Sequence, residues 1–329
     1  RKLAECLEQG AEAFGWDHGP RKPRQRREGE WWIGTGMASA ARVHNVAEAR
    51  ARVTLKPDGT ALVETDMTDI GTGTYSIVGQ VAGEMLGLPM DRVLVDLGDT
   101  DFPRGPGSGG SWGASSICSA VFVACEDLRA TLAKKAGVSI EELKLKDGAV
   151  IGGASLVELL DGEELSVEGH YEPGAVEDDF TASGYGAFFA EVRVNRFTGE
   201  TRVDRMLGAY GFGRVLNAKT ARSQCLGGIV WSIGAALTEA LLFDPVDGHI
   251  ANCDLAEYHV PVNRDVPDLE VIMVEERDSA ASPIQAKGVG ELGMCGGAAA
   301  IGNAIYNACG ARVLGFPMTP DRVIAAMPE

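Results

Sequence analysis

The sequence is poor in aromatic residues and in positive charge. Only 6% of its 329 residues are aromatic, and 30 lysines and arginines stand against 47 aspartates and glutamates, which gives a formal net charge of −17. A surface of that sign does not attract nucleic acid phosphates or anionic lipid in a general way, so we expect neither as a partner. With 45% hydrophobic and 23% charged residues, the composition is that of a folded globular protein.

The usual spacings of protein-ligated metals are also missing. The seven cysteines form no C-x-x-C pair and the five histidines never stand at ligand spacing, so we predict no disulfide framework and no side chain that ligates a metal. The one charge-free stretch of membrane length, 292–311, contains five glycines and two asparagines. We expect a buried turn and helix there rather than a membrane span. Because the sequence begins at Arg1 without a signal peptide, we expect a piece of a longer protein.

Hydrophobic patterning predicts a mixture of helices and strands. We expect helices at 2–14, 74–86, 114–136, 219–243 and 298–308, and strands at 49–56, 60–66, 92–97, 185–195, 201–210 and 268–275. Hairpins and longer crossovers are mixed, which favours an α+β fold with mixed sheets and packed helices. We treat 1–329 as one region, and a division into lobes at 1–180 and 181–329 is left open.

Five of the seven residues at 21–27 (RKPRQRR) are basic. The segment is either a solvated loop or a docking site for an acidic partner surface.

Three glycine-rich loops stand before predicted helices. They are the first loop at 69–75 (DIGTGTY), the second loop at 107–113 (GSGGSWG) and the third loop at 287–293 (KGVGELG). Such loops free backbone N–H groups to face an anion, and a helix N-terminus adds a positive end. One loop of this kind is most often a plain turn, but three in one chain favour a large phosphorylated cofactor.

The third loop matches the dinucleotide-binding pattern G-x-G-x-x-G, but its surroundings do not fit a Rossmann unit. That unit needs a hydrophobic strand before the loop and an acidic residue about 20 positions later for the ribose. Here SPIQAK precedes the loop, and no aspartate or glutamate occurs from 292 to 320. A nicotinamide-linked dehydrogenase is therefore excluded. No G-x-x-x-x-G-K-[ST] phosphate-binding motif is present either.

Glu291 is the only acidic residue between Asp278 and Asp321, in a stretch rich in glycine and alanine. If these surroundings bury the carboxylate, desolvation raises its pKa and suits it to general-base catalysis near neutral pH. The other interpretation is a glutamate at a helix start, where the helix dipole stabilises it. The residues alone leave both open.

Seven segments, in their order along the chain, carry a resemblance to a known family. The sequence resembles the C-terminal part of the large, molybdenum-binding subunit of the xanthine dehydrogenase and aldehyde oxidoreductase family, closest to the bacterial periplasmic-type aldehyde oxidoreductases. The segments are DIGTGTYSIVGQVAGEMLGLP, RVLVDLGDTDFP, SGGSWGASS, GAFFAEVRVNRFTGETRV, GRVLN, YHVPVNRDVPDLEV and AKGVGELG.

The resemblance implies a molybdopterin-binding domain of the xanthine dehydrogenase type, which holds a molybdenum–molybdopterin cofactor, in bacteria the cytosine dinucleotide form. In that family the pterin, not a side chain, holds the metal. The matching positions make Glu291 the active-site base. The implied cofactor-binding residues are Ile70, Gly71, Thr72, Gly73, Gly109, Gly110, Ser111, Trp112, Gly113, Lys287, Val289 and Gly290.

The implied reaction is hydroxylation of an aldehyde or an N-heterocycle with oxygen from water. The electrons leave through 2Fe-2S and FAD groups, either in partner subunits (an iron–sulfur subunit and a FAD subunit) or in N-terminal domains outside this sequence. The alternative is a non-catalytic module that binds a dinucleotide cofactor for assembly. Relatives occur in the bacterial cytoplasm or in the periplasm, exported with a partner that carries the signal, so the compartment stays open.

Three places depart from the family pattern. Trp231 and Ser232 stand where many relatives have Gln-Gly, Gln285 replaces a usual glycine, and Ala311 replaces a usual lysine or arginine.

Overall fold

Two mixed sheets with helices packed against them form the α+β fold in the computed structural model, which describes residues 1–17, 22–174 and 180–329. The helices are α1 (Leu3–Phe14), α2 (Thr74–Leu86), α3 (Gly113–Ala136), α4 (Leu156–Leu160), α5 (Ala218–Leu237), α6 (Gly297–Cys309) and α7 (Pro320–Ala326), with a 3-10 turn at Met90–Arg92. The strands are β1 (Arg26–Glu28), β2 (Trp31–Val43), β3 (Ala49–Leu55), β4 (Ala61–Thr65), β5 (Val93–Leu97), β6 (Leu145–Lys146), β7 (Ala149–Val150), β8 (Leu165–Tyr171), β9 (Ser183–Asn195), β10 (Thr201–Gly211) and β11 (Asp268–Met273).

The first sheet has the strand order β1-β2-β9-β10-β11. Its pairs are antiparallel except for the parallel pair β10–β11. Side chains of β9 alternate between its two faces, as the pleat requires. Phe188 and Val192 pack with α5 and α6, whereas Ala187 and Phe189 pack with α1.

β2 lies between β1 and β9, and its small residues let α6 approach its backbone. A Cβ added at Gly34 would lie 2.2 Å from the backbone nitrogen of Ala308, and one added at Gly36 would lie 2.2 Å from the carbonyl oxygen of Ala300. No side chain fits in that space. The even-numbered face of β2 is therefore the face that meets α6 and the third loop before it.

The second sheet has the strand order β5-β4-β3-β8, with β4 and β5 parallel. Its buried face, which includes Val53 and Val63, packs with α2 and α3 around residues such as Val78 and Val121. The two-stranded pair β6–β7 lies outside both sheets.

The sequence-based expectations are confirmed for the fold class and for most elements, since α2 and the β9–β10 hairpin lie where patterning predicts them. Residues 292–311 form the expected turn and largely buried helix. No helix in the described part of the chain has both the length and the apolar character needed to cross a membrane. The division into lobes stays a prediction, although β2 pairs with β9 across residue 180.

Three expectations are wrong or incomplete. The helix predicted at 219–243 ends at Leu237, because the N–H groups of Thr238 and Glu239 both bond to the carbonyl of Gly234. β2 was not predicted, since its glycines and alanines lack strand propensity and apolar alternation.

The basic segment at 21–27 is not simply a solvated loop. Arg24 donates to the carbonyl of Cys309, Arg26 pairs with Glu191, and Arg26–Glu28 forms β1. Arg21 and the acidic residues 177–179 lie outside the described residues.

Candidate functional site

The three glycine-rich loops meet around one cavity of about 830 Å³. One face of α5 forms another wall, because Thr220, Gln224, Gly227 and Trp231 recur at helical spacing. Of the residues predicted from the sequence, the cavity is lined by Ile70, Thr72, Gly109, Gly110, Ser111, Gly113, Lys287, Val289, Gly290 and Glu291, whereas Gly71, Gly73 and Trp112 are not among its lining residues.

The second and third loops are in direct backbone contact. A Cβ added at Gly288 would lie 1.9 Å from the carbonyl oxygen of Ser111, so only glycine allows this approach. The backbone N–H of Glu291 donates to Ser111 Oγ at 3.3 Å. The position of the third loop therefore sets that of the second.

Four backbone N–H groups of the first loop are not offered to an anion, which corrects the expectation from sequence. They donate instead to the carboxylate of Asp69, to Oδ1 from Gly71, Thr72 and Gly73 and to Oδ2 from Tyr75, at 2.8–3.4 Å. Burial acts to raise the pKa of Asp69, but these donors outweigh it and lower the pKa. An internal carboxylate thus already occupies the anion-binding end of α2.

The second and third loops keep free donors. The N–H groups of Gly109, Gly110, Ser111, Val289 and Gly290 have no hydrogen-bond partner in the described part of the chain, and all five residues line the cavity. Arg214 also lines it and pairs with Glu84. The two loops have the donors that an anionic cofactor requires.

Glu291 lies at the cavity, but its surroundings differ from those expected. Its side chain is 39% exposed and forms an ion pair with Arg42, so it is not a carboxylate enclosed by glycine and alanine. Arg42 Nε donates to Glu291 Oε2 at 2.8 Å, and the Arg42 NH2 group donates to the same oxygen. No described residue donates to Oε1, which leaves that oxygen available.

Sequence reasoning missed Arg42, which lies near the end of β2. It stands 249 positions before its partner, and only the pairing of β2 with β9 brings it to the third loop.

Lys287 is held in a buried ion cluster. Its side chain is 2% exposed, and Nζ lies 3.1 Å from Glu276, 2.8 Å from Asp278 and 3.1 Å from the carbonyl oxygen of Ser183. These three contacts match its three N–H donors. Contact between Lys287 and a cofactor stays a prediction. Its ammonium group already binds three oxygen acceptors within the protein.

His44 is the second residue at this site that the sequence did not indicate. It is 8% exposed, and Nδ1 accepts a hydrogen bond from the N–H of Gly288 at 3.3 Å. Among the residues that the structure describes, Nε2 of His44 is the one buried side-chain nitrogen or oxygen atom that has no hydrogen-bond partner. Burial and the charge of Lys287 lower the pKa of His44 to about 4.

The structure shows the surroundings of two residues that depart from the family pattern, Trp231 and Gln285. Trp231 lines the cavity and is 56% exposed. Gln285 has a φ of 61°, in the left-handed region that glycine adopts without strain.

Comparison with known families and sequences gives a consistent result. The model of the molybdopterin cofactor-binding domain family matches residues 9–267. The chain is 46% identical over 332 residues to the aldehyde oxidoreductase molybdenum-binding subunit PaoC of Escherichia coli (strain K12), covering 100% of this chain and 45% of the relative. It is 31% identical to the probable hypoxanthine oxidase XdhD of the same strain, covering 99% and 35%. The chain spans less than half the length of these relatives.

Solved structures share the fold. Quinoline 2-oxidoreductase from Pseudomonas putida 86 superposes with a TM-score of 0.82 at 23% identity, over 99% of this chain and 44% of that one. The aldehyde oxidoreductase from Desulfovibrio desulfuricans ATCC 27774 gives 0.76 at 25% identity, over 99% and 35%.

Replacing Lys287 tests whether its ammonium is structural. Lys287→Met leaves two carboxylates without their cation, one of them buried, and we expect the free energy of unfolding to fall by about 3–5 kcal/mol. Removing the charge of Glu276 and Asp278 in the same chain (Glu276→Gln, Asp278→Asn) should recover part of that loss. Chemical denaturation measures both, with the exposed Lys219→Met as control. Unchanged stability together with lost cofactor would assign Lys287 to cofactor binding instead.

Proposed function

The chain belongs to the family of molybdopterin cofactor-binding domains, and from that premise we propose that it holds the cofactor and supplies the general base of a molybdenum hydroxylase of the aldehyde oxidoreductase type. The observation that carries the proposal is the cavity itself. Three loops that are far apart in the sequence converge there, and Glu291 lies on its wall.

The cavity walls suit a large anionic cofactor. Free N–H groups of the second and third loops would hold phosphate oxygens, as backbone donors do in other anion sites. The first loop would contribute the side chains of Ile70 and Thr72, because four of its N–H groups bind Asp69. At Gly109 and Gly227 an added Cβ would meet no protein atom within 4 Å, so both positions leave room for a ligand at the cavity wall.

A bound molybdenum–molybdopterin group would supply two-electron redox chemistry, with oxygen from water added to a substrate carbon. Glu291 would act as general base at Oε1, accepting the proton that the attacking water must lose. Arg42 would hold Oε2 and so fix the direction of the carboxylate. The second loop would keep Glu291 in place through Ser111 Oγ.

An aldehyde is the favoured substrate class, and an N-heterocycle is the second. The relative at 46% identity is described as an aldehyde oxidoreductase subunit, whereas the one described as a hypoxanthine oxidase is 31% identical. We further propose the cytosine dinucleotide form of the cofactor.

Electrons released at this site would leave through redox groups held outside this chain. Five of the seven cysteines are buried and all seven are free, and no cysteine cluster in the described part of the chain could ligate iron. We therefore propose an iron–sulfur subunit with 2Fe-2S centres and a FAD subunit as partners. A related protein of Paenarthrobacter nicotinovorans, 27% identical, is described as subunit gamma of a dehydrogenase complex.

Glu291→Gln tests the base. The amide keeps an oxygen for Arg42 but cannot accept the proton, so we expect turnover of aldehydes to fall by about 10²-fold to 10⁴-fold, with molybdenum content and thermal stability unchanged. Steady-state kinetics and metal analysis of the purified complex measure these, with the exposed Glu141→Gln as control. Equal turnover in the mutant would remove Glu291 from the base role. Loss of turnover with full molybdenum content would count against the alternative of a non-catalytic assembly module.

Gly109 and Gly227 test the cavity. Gly109→Ala adds a methyl group that no protein atom meets, and Gly227→Ala also favours α5 by about 1 kcal/mol. We expect molybdenum content to fall severalfold, and further in Gly227→Leu, while thermal stability is kept or raised. The loop variant Gly315→Ala, also without a neighbour within 4 Å, is the matched control. Gly110 is unsuitable, because an added Cβ would lie 2.6 Å from the Trp112 ring. Full molybdenum content in all three cavity variants would contradict the assignment.

A further inference from the structure

The end of β2 holds the third loop at two points. Arg42 and His44 are two positions apart, and the N–H of His44 bonds to the carbonyl of Ala182, which continues the ladder with β9 beyond Val43. Alternate residues of an extended chain share a face. From that face Arg42 binds the carboxylate of Glu291, and His44 accepts the N–H of Gly288.

The contact at Gly288 requires a neutral imidazole. Nδ1 can accept the N–H of Gly288 only when it carries no proton, so the proton of the neutral ring lies on Nε2. A second proton would turn Nδ1 into a donor facing a donor. The hydrogen bond to Gly288 would then be lost.

Burial is the main obstacle to that second proton, because a charged imidazole would lose its hydration. The cations Lys287 and Arg42 also oppose it, whereas the carboxylate of Asp278, which is paired with Lys287, favours it. Together these effects lower the pKa of His44 to about 4 from its usual 6.5. Because the unfolded chain binds the proton more readily, the stability that depends on neutral His44 is lost as the pH falls from about 6.5 toward 4.

We propose that His44 is a positioning residue for the general base: as a neutral acceptor it fixes the third loop at Gly288, three positions before Glu291, and its protonation releases the loop. Arg42 fixes the carboxylate and His44 fixes the backbone that carries it. The holding of the loop does not depend on the proposed function. The effect on catalysis rests on Glu291 being the base.

Two substitutions at the same position separate this role from simple packing. His44→Asn keeps an acceptor, since Asn Oδ1 can take the place of Nδ1, but does not titrate. His44→Leu fills similar space without an acceptor. If His44 only fills space, the leucine variant should behave at least as well as the asparagine variant.

Amide hydrogen exchange of the peptide covering 288–292 is the first readout, taken on the subunit as purified with its partners. At pH 7 we expect exchange in His44→Leu to be about fivefold faster than in the wild type, the factor expected for one lost hydrogen bond, and His44→Asn to stay close to the wild type. Between pH 6 and 4, exchange corrected for its intrinsic rate should rise in the wild type but not in His44→Asn. Equal exchange in all three at every pH would overturn the proposal.

The pH profile of turnover is the second readout. His44→Leu should lower kcat with little change in KM, and His44→Asn should restore kcat and remove the part of the acid limb that His44 causes. The half-buried His170 supplies the control His170→Asn, because His170 lies on β8 of the other sheet, where it pairs with Glu48. Faster exchange in His44→Leu with unchanged kcat would overturn the positioning role. A wild type with no molybdenum and no turnover would instead defeat the proposed function, while the exchange experiment still decides whether His44 holds the loop.

Discussion

The cavity depends on one buried cation. The ammonium of Lys287 is 2% exposed, and a charge at that depth is stable only because Glu276, Asp278 and the carbonyl of Ser183 surround it. These partners belong to the segment after β11 and to the start of β9, so the third loop is tied to the first sheet. Glu276 also accepts the N–H of Gly213, just after β10. The ion cluster therefore joins the ends of three strands, β9, β10 and β11, to the third loop, and the second loop follows through its backbone contact at Gly288.

Similar glycine-rich sequences have different physical roles in this cavity. In the first loop, Asp69 accepts four of the N–H groups, so the loop is organised before any ligand arrives. In the second and third loops the N–H groups of Gly109, Gly110, Ser111, Val289 and Gly290 remain free. Glycine also allows close approach there, as at Gly288 against Ser111. A preformed first loop and two loops with free donors make a site in which little reorganisation is needed on binding.

The sequence indicates those parts of the fold that local pattern controls. The alternation in β9 and β10, the turn between β3 and β4 and the helix α2 all follow from period and turn chemistry, and the three loops mark the cavity. Sequence patterning does not predict β2, because its small residues are required by contact with α6 and no local pattern reveals that contact. It does not indicate Arg42 and His44 either, since their partners lie 249 and 244 positions away. Long-range pairing of strands decides which side chains reach Glu291, and a single sequence does not display it.

Molybdenum and nucleotide analysis of the complex purified with its native partners tests the central claim most directly. If the cavity holds a molybdopterin dinucleotide, the complex should contain stoichiometric molybdenum and release CMP when its cofactor is hydrolysed. Molybdenum without CMP would keep the cofactor site and correct the nucleotide form. Absence of both from a folded, fully partnered complex would contradict the account, because the free donors of the second and third loops would then serve some other ligand.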